Sequence, residues 1–229
     1  SITTNSATTG DGGAIYVGAG SVMLSGGSVT DNTANLGNGG AIYANTAPVT
    51  VSGTAEVKTN AAQTGGAVYA VSGAVTVSGG TVENNTASTG DGGAIYAGSG
   101  NVTVSGGRVS DNTATSGNGG AVYAGSGNVI LSGGSMSGNT ANDSGGAIHA
   151  ASGTVTVSSG SLTGNTAANG NGGAICANTG AVSITGITLA TNRAGQNGGA
   201  VYAGSGAVAL TNTTFGGTDT GNTARTDGG

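Results

Sequence analysis

The chain has 229 residues, 51 of them glycine, and carries a net charge of −5 with only four lysine or arginine residues. Aromatic residues make up 3 % and charged residues 6 % of the sequence, which excludes a core of large aromatic side chains and a basic surface for nucleic acid. The single cysteine excludes an internal disulfide framework, and no apolar run approaches the roughly 20 residues that span a bilayer. We therefore expect neither a nucleic acid partner nor direct membrane insertion of this segment.

One short motif recurs along the whole chain. The sequence Gly-Gly-Ala-Ile-Tyr at residues 12–16 returns seven more times with little change, in steps of 26 or 27 residues. The copies begin at Gly12, Gly39, Gly65, Gly92, Gly119, Gly145, Gly172 and Gly198. A fixed period in this range predicts a solenoid, in which each repeat forms one coil and buries its apolar face against its neighbours.

A single repeat, taken from residue 92 to residue 118, reads as three short runs separated by glycine-rich turns. The first run is 92–97, the second is 101–105 with alternating aliphatic and polar residues, and the third is 108–112. Residues 113–118 then lead into the next Gly-Gly pair. This pattern predicts an all-β, three-sheet parallel β-helix of about eight coils, forming a rod of roughly 40 Å at about 4.8 Å per strand.

Columns of equivalent positions indicate which side chains face the interior. Ile15 and its equivalents are always β-branched and aliphatic, as are most equivalents of Val102, Val104 and Val109, so these columns form the predicted core. Asparagine recurs after the third run, and we interpret it as an internal ladder that satisfies backbone groups at a bend; an asparagine-lined binding groove is the alternative. The ladder residues are Asn32, Asn60, Asn85, Asn112, Asn139, Asn165 and Asn192.

These repeats resemble a known family. A Gly-Gly-Ala-Ile or Gly-Gly-Ala-Val element in every coil, followed about twenty residues later by an element such as Val109-x-x-Asn112, is similar to the repeats of chlamydial polymorphic outer-membrane proteins. Related repeats occur in other bacterial adhesin-like surface proteins. The second element departs from the family, whose Phe-x-x-Asn has an aliphatic residue here. The resemblance implies a right-handed β-helix on a secreted or surface protein, and it implies adhesion.

The residue after each Ile/Val core position forms an aromatic stripe on the outside of the predicted rod. Alternation along the strand places it there. We expect its rings to stack on one another, and as a hypothesis we take the stripe to bind glycan rings or a neighbouring rod. It comprises Tyr16, Tyr43, Tyr69, Tyr96, Tyr123 and Tyr202, with His149 and Cys176 at the two remaining positions.

A second outward face carries hydroxyl groups. Thr50, Thr76, Thr103 and Thr156 recur in the second run, each followed two residues later by serine. Regular threonine arrays on flat β-solenoids resemble ice-binding surfaces, although Met23, Ile130 and Ala209 interrupt this column. Ice binding is therefore an alternative function, while solvent-facing strand residues of good β propensity are the simpler explanation.

The sequence predicts no catalytic, cofactor or metal site. The nine acidic residues are dispersed, and Glu83 is expected to form an exposed ion pair with Lys58 of the adjacent coil. His149 is expected to be a substituted surface residue, and Cys176 has no neighbouring charge that would activate its thiol.

Together these features predict a non-catalytic adhesin or structural stalk, extracellular or on the surface of a bacterium. Its expected partners are a glycan or protein of a host or neighbouring cell, or further copies of itself. The whole chain, 1–229, is expected to be one solenoid and a segment of a longer array, because neither end resembles a capping repeat. A subunit of a head-to-tail filament is a further alternative. An insertion at 215–219 is expected to bulge from the rod.

Overall fold

A computed structural model describes residues 1–216 and 221–225, so most of the predicted insertion lies outside the described residues. All regular secondary structure in the described part is β, arranged in three parallel sheets that run along a stack of coils. This confirms the predicted three-sheet β-solenoid of about eight coils. No described segment is a helix long and apolar enough to cross a membrane.

The tyrosine sheet, as we name the eight-stranded sheet built from the Gly-Gly-Ala runs, has one three-residue strand per coil. Its Ile or Val and its third residue point into the core, whereas the middle residue points outward. Successive strands pair in register, so equivalent residues lie directly above one another. The strands are Ile15–Val17, Ile42–Ala44, Val68–Ala70, Ile95–Ala97, Val122–Ala124, Ile148–Ala150, Ile175–Ala177 and Val201–Ala203.

The long sheet has 13 strands and contains both the second and the third predicted runs. In four coils these two runs form one nine-residue strand that passes through a Gly-Gly pair: Val75–Glu83, Val102–Ser110, Val129–Ser137 and Val155–Thr163. In the other coils the runs stay separate, as Ile2–Thr3, Val22–Leu24, Ser28–Thr30, Val49–Val51, Glu56–Lys58, Val182–Thr185, Thr188–Ala190, Val208–Thr211 and Thr214–Phe215.

The Gly-Gly pair within the long sheet therefore bends the strand rather than ending it. Gly80, Gly107 and Gly134 have φ values of 71° to 74°, and the inter-coil pairing shifts register beside Ser78. The second and third runs were predicted to lie in separate sheets, and this prediction is wrong because both lie in the long sheet. A glycine in the left-handed region can turn the chain while its neighbours keep their ladder hydrogen bonds.

The short sheet is built from the residues that follow the asparagine ladder, which the sequence had indicated only as a connection. Most of its nine strands are Thr-Ala dipeptides, too short for any alternation to be visible. They are Ser6–Ala7, Thr33–Asn38, Ala61–Thr64, Thr86–Ala87, Thr113–Ala114, Thr140–Ala141, Thr166–Ala167, Arg193–Ala194 and Thr223–Ala224. The number of sheets is as predicted, but the third sheet lies here.

The core is a thin aliphatic column between the tyrosine sheet and the long sheet. In a central coil, Ile95, Val102, Val104 and Val109 are each no more than 1 % exposed. The interior coils supply the same positions, so each of their apolar faces is covered by the coils on either side, whereas Val208 and Leu210 of the last described coil are 45 % and 47 % exposed. Short, stiff side chains suit this narrow interior, which has no room for the large aromatics that the sequence lacks.

The two positions before each alanine require glycine for different structural reasons. The first, as at Gly92, has a φ of 69°, which only glycine adopts without strain. The second, as at Gly93, lies against the backbone of Thr113 and Gly120 in the following coil, where a Cβ atom would collide with both. The pair thus allows the tyrosine sheet and the short sheet to meet at a tight corner.

Candidate binding surface

The outward residues of the tyrosine sheet form a stacked column of aromatic rings. From Tyr16 through Tyr123, ring centroids of neighbouring coils lie 4.6 to 5.3 Å apart and adjacent planes are within 6° of parallel. The imidazole of His149 continues the column beneath Tyr123 at 5.3 Å. Cys176 follows in register, and Tyr202 lies beyond it. We call Tyr16, Tyr43, Tyr69, Tyr96 and Tyr123 the tyrosine column.

Stacking occupies the ring faces of this column. Tyr43, Tyr69, Tyr96 and Tyr123 each have a parallel ring on both sides and are half-buried. Tyr16 is 63 % exposed, and among the residues that the structure describes it stacks on Tyr43 alone. The column therefore presents ring edges and phenol hydroxyl groups to solvent at intervals of about one coil, and it leaves few faces for a sugar ring to stack on.

Burial also makes these phenols weaker acids. It raises the pKa of Tyr69 to about 12, with Tyr96 and Tyr43 as the next causes. The pKa values of Tyr96 and Tyr123 are likewise raised, first by burial and then by the nearby carboxylate of Asp91. These three phenols are accordingly uncharged at neutral pH, and their hydroxyl groups are available both as donors and as acceptors.

A second polar column lies beside the tyrosine column at the Gly-Gly corner. Asn118 donates from its backbone N and its Nδ2 to Oδ1 of Asp91, at 2.7 and 3.0 Å, and Asn38 contacts Asp11 in the same way. This column was not predicted from the sequence, although every member is a short polar residue. We call it the corner column: Asp11, Asn38, Thr64, Asp91, Asn118, Ser144, Asn171 and Asn197.

His149 is buried, which contradicts its prediction as a surface residue. Its side chain is 5 % exposed and that of Cys176 is 1 % exposed, although both occupy the outward column. Asn178 contacts both, with its Nδ2 donating to His149 Nε2 at 3.4 Å and its Oδ1 accepting from Cys176 Sγ at 3.6 Å. Alternation along the strand gives the direction of a side chain but not what other coils place over it.

The chemistry of these two buried side chains is that of structural groups. Burial lowers the pKa of His149, so the imidazole is neutral at neutral pH. Burial raises the pKa of the Cys176 thiol to about 11, so very little thiolate is present. Neither group is poised to act as a nucleophile or as a charged acid.

The asparagine side chains form a continuous hydrogen-bonded column inside the bend between the long sheet and the short sheet. The backbone N and the Nδ2 of Asn85 both donate to Oδ1 of Asn112 in the next coil, each at 3.0 Å. Asn85 Nδ2 also donates to the carbonyl of Val57 in the preceding coil. The same set recurs at Asn32, Asn60, Asn112, Asn139, Asn165 and Asn192, all fully buried. This asparagine column is inaccessible to a ligand.

The residue before each of these asparagines is in the left-handed region. Asp31, Thr59, Asp111 and Thr191 have φ values between 51° and 57°, and Gly138 and Gly164 occupy the equivalent position in two other coils. A β-branched threonine is strained there, at a cost of order 1 to 3 kcal/mol. The strain persists because the bend must turn the next amide into the column.

The predicted threonine array lies in register on the long sheet. Thr50, Thr76 and Thr103 pair in consecutive coils, Ile130 follows, and Thr156 resumes the column. Among these four threonines Thr156 is exposed, and the other three are half-buried. A more regular column, missed in the sequence, lies on the short sheet, where four consecutive coils carry Thr86, Thr113, Thr140 and Thr166.

The predicted ion pair is confirmed and has a third member. Lys58 Nζ lies 3.1 Å from Glu83 Oε1 and 2.9 Å from Glu56 Oε1 on the long sheet. These are solvent-exposed pairs of small energetic weight. Within residues 1–216 and 221–225, no group of three or more histidine, cysteine, aspartate or glutamate side chains is arranged to hold a metal ion.

Comparison with protein families finds one match. The sequence model of the Chlamydia polymorphic membrane protein repeat matches residues 79–98 and 133–151. These two stretches of the chain are similar to polymorphic membrane protein repeats. This confirms the resemblance inferred from the Gly-Gly-Ala elements. No curated protein and no solved structure matches the chain.

The two matched stretches span the same structural elements. Each runs from the Gly-Gly bend of the long sheet, past the asparagine column and the short sheet, to the end of a tyrosine-sheet strand. The glycines and the asparagine of each matched stretch therefore have structural explanations at the bend, the corner and the buried column. The outward position, Tyr96 in one repeat and His149 in the other, is not fixed by the fold.

Proposed function

We propose that this chain is the rod of a non-catalytic, adhesin-like protein on a bacterial surface, and that the tyrosine sheet is its contact surface. The observation that carries the proposal is the match to polymorphic membrane protein repeats on a β-solenoid, a combination typical of surface proteins without enzymatic activity. A rigid stack of coils can hold a binding face at a distance from the cell.

The tyrosine column supports the choice of face. It is flat and in register, half-buried and uncharged, and it has aspartates at only two of its neighbouring corner positions, Asp11 and Asp91. Because stacking uses the ring faces, contact would come through ring edges and hydroxyl groups. The partner class that fits is a surface glycan or protein rich in uncharged hydrogen-bonding groups.

The test is binding of fluorescently labelled rod to cultured mammalian epithelial cells, before and after enzymatic removal of surface glycans. The informative variant changes Tyr43, Tyr69, Tyr96 and Tyr123 to Phe, which preserves the stack and removes the hydroxyl groups. The control changes Thr50, Thr76, Thr103 and Thr156 to Ser on the long sheet. We expect the Phe variant to lose about tenfold in affinity, or about 1.4 kcal/mol, and the control to be unchanged.

The outcomes separate the parts of the proposal. Equal binding by the Phe variant and the unmodified rod would remove the tyrosine column as the contact surface. Loss of binding after glycan removal identifies a glycan partner, and retained binding identifies a protein. A rod that binds no better than a denatured sample would refute the adhesin function itself.

Ice binding is the second candidate, favoured by the four consecutive threonines of the short sheet. Their column repeats at the strand spacing of about 4.8 Å, which a regular water lattice could follow. Measurement of thermal hysteresis at high protein concentration tests it, and replacement of Thr113 and Thr140 by bulky Lys should abolish any effect. Absence of hysteresis in the unmodified rod would exclude this function. A head-to-tail filament, the third candidate, would appear as mass that increases with concentration.

A further inference from the structure

We propose that the tyrosine column is a site of oxidative cross-linking, at which a dityrosine bond joins adjacent coils of one molecule, with Tyr69 and Tyr96 as the preferred pair. The proposal does not depend on the adhesin function. It rests on the spacing, the parallel alignment and the accessibility of the rings, which nothing in the repeat architecture requires to be tyrosine.

The geometry places reactive positions side by side. The ring centroids of Tyr69 and Tyr96 are 4.6 Å apart with planes within 4°, the closest approach in the column. Burial is the main cause of the raised pKa of both phenols, and a hydrogen bond between their hydroxyl groups further raises the pKa of Tyr69 while it opposes the rise at Tyr96, so the ends of the two rings also lie together. The carbons next to the two hydroxyl groups, which carry spin density in a phenoxyl radical, are therefore neighbours.

The chain also limits competing reactions of such radicals. Five rings stack only on their own kind or on His149, so a radical formed at the exposed Tyr16 has a continuous path of parallel rings along which an electron can be exchanged. The sole thiol, Cys176, is buried and largely protonated. Tyr202 is in register with Cys176 rather than with a ring and serves as an internal control.

The reaction balances with a peroxide as the oxidant. A haem peroxidase using hydrogen peroxide removes one electron and one proton from each of two phenols. The two phenoxyl radicals form a carbon–carbon bond between their ortho carbons, and each ring regains aromaticity by moving its ortho hydrogen to oxygen. One hydrogen peroxide takes up the two electrons and two protons and becomes two water molecules. Each cross-link therefore lowers the mass of the protein by two hydrogen atoms.

Trypsin can map the bond, because the four basic residues separate the tyrosines conveniently. Cleavage after Lys58 and Arg108 leaves Tyr69 and Tyr96 within one peptide, 59–108. A bond between them lowers the mass of that peptide by two hydrogens without joining it to another. A bond from Tyr43 to Tyr69 joins 1–58 to 59–108, and a bond from Tyr96 to Tyr123 joins 59–108 to 109–193.

The experiment treats the folded rod with horseradish peroxidase and limiting hydrogen peroxide, at several protein concentrations. We expect dityrosine fluorescence in a product that remains monomeric, at a yield independent of protein concentration, with most of the lost hydrogen in peptide 59–108. Tyr96→Phe should remove that product while keeping the stack, and Tyr202→Phe should leave it unchanged. A rod unfolded in urea should give joined chains instead.

Three results would overturn the proposal. The first is a folded rod that forms no dityrosine although the unfolded chain does. The second is dityrosine found only between molecules, with a yield that rises with concentration. The third is an intramolecular product that survives Tyr96→Phe and Tyr69→Phe equally, because the bond would then lie outside the column's closest pair.

Discussion

Two columns of like residues run along this rod. They differ in how much of each side chain is engaged in contacts with neighbouring coils. The asparagine column has the same residue in every described coil, because each amide accepts two hydrogen bonds from one neighbouring coil and donates to the other. The tyrosine column uses its ring faces but not its edges, and His149 and Cys176 stand in place of tyrosine at the next two positions of the same sheet. An asparagine whose amide atoms are all hydrogen-bonded tolerates no other residue. A tyrosine whose ring edge makes no contact can be replaced by another side chain.

Removing one amide should cause the largest effect. Asn112→Ala takes the acceptor from the backbone N and Nδ2 of Asn85 and the donor from the carbonyl of Val82, all buried. We expect a loss of about 3 to 5 kcal/mol in the free energy of unfolding, measured by urea denaturation followed by circular dichroism. The control Asn101→Ala, whose exposed Oδ1 accepts one bond from Asn128, should cost under about 1 kcal/mol. Equal effects would mean that burial of the column is not what fixes its residues.

Removing one ring should cost less. Tyr96 stacks on Tyr69 and Tyr123, and Tyr96→Ala should lower stability by about 1 to 3 kcal/mol, at 0.5 to 1.5 kcal/mol per stacked pair. Tyr202→Ala, which breaks no described ring stack, is the matched control and should cost distinctly less. If the two variants unfold at the same urea concentration, ring stacking does not stabilise the rod.

His149, which stands in place of tyrosine at the outward position of its coil, should make stability depend on pH. Burial lowers the pKa of His149 below its ordinary value of about 6.5, despite opposing effects of Asp91 and Asp143. The unfolded chain therefore binds this proton more readily. The contribution is fully present above about pH 6.5 and is lost as the pH falls towards the lowered value in the folded state. The urea midpoint should fall between about pH 7.5 and pH 5 in the natural rod and fall less in His149→Gln. An identical fall in both proteins would assign the effect to the carboxylates.

The smallest expected effect concerns the strained residue that leads into the asparagine column. Thr191 has a φ of 56° and an exposed side chain, so Thr191→Gly should relieve strain and raise stability by about 0.5 kcal/mol after the entropic cost of glycine. Thr188→Gly, in an extended strand three residues earlier, should instead lower it by about 0.5 to 1 kcal/mol. Thermal unfolding of the two variants shows whether each is more or less stable than the unmodified rod. A lower stability of Thr191→Gly would show that the turn holds no strain.

The features that recur at the same position in every coil were predicted from the sequence, whereas features that depend on very short strands or on a bend within one coil were not. Eight copies of one motif define the period, the aliphatic core and the outward direction of Tyr96 without reference to any contact. The Gly106-Gly107 bend was predicted as a break because two glycines mark a turn and a bend equally well. The short sheet was missed because Thr113–Ala114 has only two residues, fewer than one period of alternation.

The candidate site was less predictable, because its properties come from neighbours in other coils. The direction of the tyrosines follows from alternation, but the burial of His149 does not, and its hydrogen-bond partner Asn178 lies 29 residues away. The corner column could have been found, since Asp91 and Asn118 occupy the position before Gly-Gly. Its significance is visible only when the coils are stacked and the carboxylate of one coil accepts from the amide of the next.

Backbone hydrogen bonds between coils, such as that from Ile95 N to Ala121 O, give the rod a definite response to tension. They point along the rod axis, so a force that separates its two ends acts on the bonds of every interface at once. The interfaces between coils are nearly alike in strength. A coil at an end of the rod is held by only one interface, so it detaches first while the other coils stay folded. Each detached coil of 26 or 27 residues releases a slack of roughly 80 to 90 Å. A tether built this way lengthens stepwise and dissipates energy at each step.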